Sequence, residues 1–251
     1  MKPPFLNAGT DSTLRTGSLQ SQGSSSLSAS KTGMQGLKKN LVFFILAALI
    51  SFGLTVLTAS VVHSPYRALP YRDHFESSDN REWSAYGGNW KIESGSMVNE
   101  SDERGGKLVT GSAYWEDYVV EADVALGNRG DAGLLARVSN PEQGVDAYNG
   151  FYVGLRHRDQ ALVVGMADHD WQEAPIITLP SPIVSNSWYH IRVELHRCHI
   201  RAVANREGFP QKTEISTAFD ACPRRGKIGL RSYDSGGMWK NVRVTQLEST
   251  E

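Results

Sequence analysis

Short runs of alternating apolar and polar residues are the feature that most restricts the fold of this chain. They include YVVEADVAL, GFYVGLR, WYHIRVEL and KIGLRS, with turn-forming segments such as GNRGDAG between them. Alternation with a period of two predicts β-strands that have one face on a core and one in solvent. No stretch shows helical apolar spacing over three turns, so we expect an all-β domain. Nine or more short strands favour a jelly-roll sandwich of two antiparallel sheets over an immunoglobulin-like sandwich.

A second feature is the apolar run from Leu41 to Val62, which has 22 residues and no charged side chain. About 20 apolar residues in a helix are needed to cross a bilayer, so the run predicts one transmembrane helix. A cleaved signal peptide is the main alternative, since Thr58-Ala59-Ser60 offers small residues for cleavage. The run is, however, longer than the apolar region of a signal peptide, and 40 residues precede it.

Composition divides the chain into four parts. Residues 1–38 are rich in Ser, Gly and Thr and are predicted to form a disordered tail, and residues 39–62 form the transmembrane helix. Residues 63–72 contain two prolines and form a linker, and residues 73–247 form the sandwich domain.

Charged residues beside the apolar run predict its orientation. Lys31, Lys38 and Lys39 precede the run, whereas the basic residues that follow it are mixed with acids. Because the side with the Lys/Arg excess stays in the cytoplasm, we expect a single-pass protein with a cytoplasmic N-terminus and an extracytoplasmic sandwich. The part after the run has more acidic than basic residues, which argues against a nucleic-acid partner. The oligomeric state is not predicted.

The two cysteines, Cys198 and Cys222, both fall in the part that we expect outside the cytoplasm. Thiols tend to oxidise there, so the pair predicts a disulfide. Two buried free thiols remain the alternative. A metal site is disfavoured because no CxxC spacing or paired histidines accompany the cysteines.

The order of these elements resembles the concanavalin A-like lectin/glucanase superfamily. The resemblance rests on FESSDNREWSAYGGNWKIESGSMVNESDERGGKLVTGSAYWEDYVVEADVALGNRGDAGLLARV, then AYNGFYVGL, SWYHIRVEL and GKIGLRSYDSGGMWKNVRV. It covers nearly the whole globular part and is similar in type to laminin-G-like and levan-binding modules and to the 3-keto-disaccharide hydrolase domain. The resemblance implies a concanavalin A-like jelly roll with one concave sheet that binds sugars.

Strand alternation gives a candidate binding face on this fold. It places Val120, Ala122, Val124 and Leu126 in the core, and equally Leu134, Ala136, Val138, Phe151, Val153 and Leu155. The polar residues between them would then share an outer face that could bind a glycan or another extracytoplasmic polymer: Glu121, Asp123, Arg137, Tyr152 and Arg156. Four further residues lie in or beside loops that could form the rim of this face: Trp171, Tyr233, Asp234 and Trp239. Alternatively, the charged residues only pair with one another across strands on a solvated face.

Catalytic motifs are weak in this sequence. Retaining glucanases of the superfamily need two glutamates on one strand face, but Glu121-Ala122-Asp123-Val124-Ala125 has alanine at the second position. Asp168-His169-Asp170 could bind a cation or act as a base, although a solvated loop explains it more simply. We expect no cofactor, while the fold allows a structural Ca²⁺ near Asp131.

Three functions therefore remain open. The first is a non-catalytic, membrane-anchored, lectin-like module that binds carbohydrate. The second is a glycoside-processing enzyme of the 3-keto-disaccharide hydrolase type, and the third is a laminin-G-like domain that binds protein.

Overall fold

A computed structural model describes residues 68–77, 81–168 and 170–248 of the chain. These residues contain strands and loops but no helix, which confirms the all-β prediction. None of them forms a helix long and apolar enough to cross a membrane. The predicted span from Leu41 to Val62 and the preceding tail lie outside the described residues, and they remain predictions.

Sixteen strands are present in this part of the chain. In chain order they are β1 (Tyr71–Asp73), β2 (Ser84–Tyr86), β3 (Trp90–Glu93), β4 (Ser96–Asn99), β5 (Gly106–Thr110), β6 (Tyr118–Leu126), β7 (Asp131–Ser139), β8 (Asn149–Arg156), β9 (Ala161–Asp168), β10 (Asp170–Glu173), β11 (Ile177–Thr178), β12 (Tyr189–His196), β13 (His199–Arg206), β14 (Lys212–Ala218), β15 (Lys227–Tyr233) and β16 (Gly237–Gln246).

The strands form two antiparallel sheets, which we call the back sheet and the front sheet. The back sheet has the order β14-β13-β12-β6-β16-β4-β3, and β1 pairs with β16. The front sheet has the order β10-β9-β8-β7-β15-β5-β2, and β11 pairs with β9. Consecutive strands β6 and β7 lie in opposite sheets, so the loop between them crosses from one layer of the sandwich to the other.

One large core fills the space between the sheets. Val120, Ala122 and Val124 of β6 enter it from the back sheet, and Phe151 and Val153 of β8 enter it from the front sheet, as the alternation predicts. Burial of these apolar side chains supplies most of the driving force for folding. The sandwich therefore has the architecture expected from the sequence.

A second apolar cluster lies on the outer side of the front sheet. It contains Val109, Leu135, Tyr152, Val163 and Ala167. Strands β7 to β9 are consequently buried on both faces, which explains why their sequences are almost continuously apolar. The polar residues on the outer face of the front sheet lie next to this apolar cluster.

The disulfide between Cys198 and Cys222 is present, which confirms the prediction. Its Cα atoms are 5.6 Å apart, and it joins the residue before β13 to the segment after β14. The bond closes a loop that spans 24 positions and thereby reduces the conformational entropy of the unfolded chain.

Candidate functional site

A cavity of about 450 Å³ opens on the outer face of the front sheet; we call it the front pocket. Strand pairing explains how it is assembled, because Asp131 of β7 lies opposite Arg156 of β8 on one side and Tyr233 of β15 on the other. Arg231 and Trp171 complete this wall of the cavity. Residues distant in sequence thus meet at one end of three neighbouring strands.

Aromatic rings surround the guanidinium group of Arg231 inside this pocket. Its central carbon lies 4.7 Å from the ring centroid of Tyr152, 5.7 Å from that of Tyr233 and 6.0 Å from that of Trp171. A cation over an aromatic face is attracted by the ring quadrupole, and the rings exclude water from the charge. Arg231 is only 4% exposed, so the arginine is held in a fixed position.

Glycine at position 165 makes room for the ring of Trp171. A Cβ atom there would lie 2.2 Å from Trp171 Cζ2, well inside van der Waals contact. Gly154 does the same for Tyr152, because a Cβ atom would lie 2.1 Å from the tyrosine hydroxyl. The absence of side chains at these two sites lets both aromatic rings lie across the front sheet.

Asp131 lies on the floor of the front pocket and is 8% exposed. Its Oδ1 atom is 3.8 Å from Arg231 Nη1 and has no hydrogen-bond partner. Burial raises the pKa of Asp131 to about 6, although the positive charge of Arg231 acts in the opposite direction. A carboxyl group with this pKa can hold or release a proton near neutral pH.

The floor concentrates polar atoms that lack hydrogen-bond partners. Among the described residues, four buried side-chain atoms have none, and all belong to residues of this region: Asp131 Oδ1, Arg231 Nε, Tyr148 OH and Tyr152 OH. An unpaired buried polar atom costs about 1–3 kcal/mol, so a group of them in one place calls for a partner such as water or a ligand. Their clustering marks the front pocket as the candidate functional site.

Lys107 adds a second buried cation beneath the pocket. It lies directly opposite Arg231 in the β5–β15 pair and donates hydrogen bonds to the carbonyl oxygens of Gly105 and Gly144. Its ammonium group is also 5.7 Å from the ring centroid of Tyr148. Burial first, and the neighbouring charge of Arg231 second, lower the pKa of Lys107 to about 8.

Arg156 and Trp171 are fixed to each other through Glu173. Arg156 donates hydrogen bonds of 2.6 and 3.0 Å to the two carboxylate oxygens of Glu173, and it also contacts Asp159. Trp171 Nε1 donates to the same carboxylate at 3.2 Å. These hydrogen bonds raise the pKa of Arg156, with Glu173 the largest cause. Arg156 therefore positions the wall of the pocket while its own charge is already paired.

The structure brings together five of the nine predicted ligand-binding residues. Four of them line the front pocket, namely Arg156, Trp171, Tyr233 and Asp234, and Tyr152 lies beneath it. Their prediction as one group is consistent with this geometry. Whether they bind a ligand remains a prediction.

Glu121 and Asp123 do not belong to this group, and the prediction that they share its face is wrong. They project from β6 in the back sheet, where Glu121 accepts a 2.6 Å hydrogen bond from Arg192. Asp123 Oδ1 lies 2.9 Å from His190 Nδ1, and the hydrogen bond with Asp123 raises the pKa of His190. These pairs correspond to the alternative of charges that neutralise one another across strands.

Arg137 was predicted on the outer face but is fully buried. A bulge shifts the β7–β8 register after Ala136, and Arg137 adopts a φ of 51°. Its guanidinium donates to Asp117 Oδ1 at 2.7 Å and to the carbonyl oxygens of Glu116 and Pro223 at 2.9 and 3.0 Å. The residue stabilises loops at the end of the sandwich, and its predicted surface position is wrong.

Trp239 was predicted in a rim loop but lies inside strand β16 with no exposed surface. Its ring packs 5.3 Å from that of Trp90, and its Nε1 donates a 3.0 Å hydrogen bond to the carbonyl oxygen of Gly133. The side chain thereby connects the two sheets through the core. The rim position is a wrong prediction, because the strand begins two residues before the tryptophan.

The described residues contain no cluster of side chains suited to binding a metal ion. No group of three or more His, Cys, Asp or Glu side chains within residues 68–77, 81–168 and 170–248 could hold a metal ion. Asp168 and Asp170 face each other across the β9–β10 hairpin, while His169 lies outside the described residues. A structural Ca²⁺ near Asp131 remains a prediction without an assigned ligand set.

Several residues of the pocket were not selected from the sequence as ligand contacts. They are Arg104, Lys107, Asp146, Tyr148 and Arg231, with Asp131 considered only for calcium. A signal for Arg231 existed, since KIGLRS alternates and the core residues Ile228 and Leu230 place the arginine on the other face. The sequence did not show that β15 pairs with β7 and so faces the same side as Tyr152.

Fold and pocket together define a concanavalin A-like β-sandwich with a polar, aromatic-lined cavity on one outer sheet face. A family model described as the 3-keto-alpha-glucoside-1,2-lyase-like domain matches residues 70–245. The chain belongs to this family. No curated protein sequence matches it.

Solved structures with the same fold include three of particular interest. The carbohydrate-binding module CBM66 from Bacillus subtilis aligns with a TM-score of 0.55 and 16% identity, covering 66% of this chain and 96% of that one. A protein of unknown function with a galectin-like fold, also from Bacillus subtilis, aligns with a TM-score of 0.57 and 16% identity over 70% and 94%. Basic winged bean lectin with Tn-antigen gives a TM-score of 0.56 and 7% identity over 70% and 97%. At these identities the likeness establishes the fold.

Proposed function

We propose that the chain is a carbohydrate-binding module whose front pocket holds a sugar. The observation that carries the proposal is the combination, in one cavity of about 450 Å³, of aromatic rings with charged hydrogen-bonding groups. Trp171 and Tyr233 offer flat apolar faces for the C–H groups of a sugar ring, while Asp131 and Arg231 offer directional partners for hydroxyl groups. The cavity is also within the size range of small-molecule sites.

The structural neighbours support the same function. One is a carbohydrate-binding module and another is a lectin whose structure contains the Tn-antigen. Fold alone does not determine function, so the proposal rests on the residues of the pocket. The two structural neighbours indicate in addition that a β-sandwich of this fold can contain a sugar-binding site.

The test is a titration of the full chain with a panel of mono- and oligosaccharides, followed by calorimetry or tryptophan fluorescence. We expect millimolar or tighter binding of at least one sugar, and Trp171→Ala should weaken it about tenfold through loss of ring stacking. Trp188→Ala is the matched control, because Trp188 lies near Lys240 of the back sheet, away from the front pocket. Equal affinity in wild type and Trp171→Ala would contradict the proposal.

A second candidate is the lyase chemistry after which the family is named. A 1,2-lyase acting on a 3-keto glucoside removes the C2 proton, which the neighbouring ketone makes acidic, and expels the group on C1. Asp131 favours this candidate, because its buried carboxyl group has an unpartnered oxygen and a pKa of about 6. The carboxylate would accept the C2 proton, and Arg231 would stabilise charge that develops on the C3 oxygen.

Solvent exchange distinguishes this candidate from simple binding. A 3-keto-α-glucoside incubated with the full chain in D₂O should lose its C2 proton signal and release its C1 substituent, as followed by NMR. Asp131→Asn should reduce the rate at least about a hundredfold, because general-base catalysis contributes that much. Asp102→Asn serves as control, since Asp102 pairs with Arg129 at the surface. Unchanged substrate after prolonged incubation would leave the binding module as the function.

We propose further that residues 41–62 anchor the protein in a membrane, with the sandwich on the extracytoplasmic side. The apolar run and the preceding lysines support this orientation. A tether keeps a weak binder at high local concentration near surface polymers. Protease added to intact cells should degrade the sandwich, and its full protection would contradict the orientation.

A further inference from the structure

Basic side chains lie close together under the front pocket. Lys107, Arg231 and Asp131 are each less than a tenth exposed, and the more exposed Asp146 adds a second carboxylate beside Arg231. Lys107 and Arg231 lie directly opposite each other across β5 and β15, and like charges in this arrangement repel. Burial of an incompletely compensated charge is unfavourable unless something else neutralises it.

The acidic neighbours compensate Arg231 only loosely. Its shortest contacts to carboxylate oxygens are 3.3 Å to Asp146 and 3.8 Å to Asp131, whereas a charge-assisted hydrogen bond is about 2.7–2.9 Å long. Its Nε atom has no partner. No carboxylate of the described residues forms an ion pair with Lys107. Hydrogen-bond donor capacity is therefore left over at the floor.

Arg104 contributes a second guanidinium group to the front pocket. Its central carbon is 5.6 Å from the ring centroid of Tyr233, and Arg231 is 5.7 Å from the same ring. Both arginines line the front pocket, and Arg104 forms no ion pair within the described residues. Arg156 and Arg158 also line the pocket, but both are paired with Asp159, and Arg156 additionally with Glu173.

We infer that the sugar held in the front pocket carries a carboxylate, as uronic acids do, and that this group is bound by Arg104 and Arg231, which both contact the ring of Tyr233. The inference rests on the proposed saccharide binding. A guanidinium fork matches the planar geometry of a carboxylate, and the hydroxyl groups of the same sugar ring can donate to Asp131 and Asp234. A neutral sugar would leave Arg104 without an anionic partner among the described residues.

The test compares three probes on the full 251-residue chain at low ionic strength: methyl glucosiduronate, methyl glucoside and acetate. We expect the uronate to bind about tenfold more tightly than the neutral glycoside, because one charge-assisted contact is added. The preference should shrink as NaCl rises, since ions screen exposed charges over about 10 Å at 0.1 M. Acetate should bind more weakly than the uronate because it lacks the ring.

Arg104→Gln separates the carboxylate contact from the rest of the site. The substitution should lower affinity for the uronate about tenfold and so remove its preference over methyl glucoside. Arg129→Gln is the matched control, because Arg129 is paired with Asp102 and does not line the pocket. Arg104 is exposed, so its replacement does not threaten folding.

The outcomes separate this inference from the proposed function. If methyl glucoside binds as tightly as the uronate or more tightly, the inference that the sugar is acidic is wrong. The proposed carbohydrate binding then still holds. Acetate binding as tightly as the uronate also overturns it, because the ring then contributes nothing. If neither methyl glucosiduronate nor methyl glucoside binds, both the proposed function and this inference are contradicted.

Discussion

At the scale of single residues, the carboxyl group of Asp131 is shaped by two opposing forces. Burial disfavours its ionised form, and the guanidinium group of Arg231 3.8 Å away favours it. The result is a pKa of about 6 rather than 3.8, so burial outweighs the attraction. A residue in this state reduces stability at neutral pH, which is common where a group is kept for binding or catalysis.

This conflict predicts a pH-dependent stability. Between pH 3.8 and about 6 the carboxyl group of Asp131 is ionised in the unfolded chain but still protonated in the folded one. The folded state then binds more protons, so the free energy of unfolding falls as pH rises through this window and the loss is complete above it. Asp131→Asn removes the loss and should stabilise the protein at pH 7.5 by about 1–3 kcal/mol.

Urea unfolding of wild type and Asp131→Asn at pH 4 and pH 7.5 measures the effect. The stability difference should be small at pH 4 and should favour the variant at pH 7.5. Glu142→Gln is a suitable control, since Glu142 is exposed in the β7–β8 loop. A variant less stable than wild type at pH 7.5 would show that the pairing with Arg231 outweighs the cost of burial.

At the scale of strands, alternation predicted the direction of side chains wherever pairing is regular. In β6 and β8 every second residue enters the core, and Tyr152 and Arg156 point outward as expected. The rule failed in β7 after Ala136, because the bulge at Arg137 inverts the parity. Val138, predicted inside, consequently lies in the outer apolar cluster. The apolar pattern before a bulge is the same as in a regular strand, so the position of this bulge could not be predicted from the sequence.

At the scale of the whole molecule, the sequence was sufficient for the sandwich but not for the allocation of strands to its sheets. Neighbours in sequence such as β6 and β7 lie in opposite sheets, whereas β7 and β15 pair across about a hundred residues. This long-range pairing separates Glu121 and Asp123 from the front pocket and brings Arg231 into it. Period and composition are local properties, so they carry no information on which distant strand becomes a partner.

Strand β16 has a consequence for the way the protein is made. It is the last strand of the described residues, yet it lies inside the back sheet, between β6 on one side and β1 and β4 on the other. A chain still emerging from the ribosome lacks this strand at first, so β6 has no partner on one edge and β1 has none at all. The two parts of the back sheet can join only after β16 has been made.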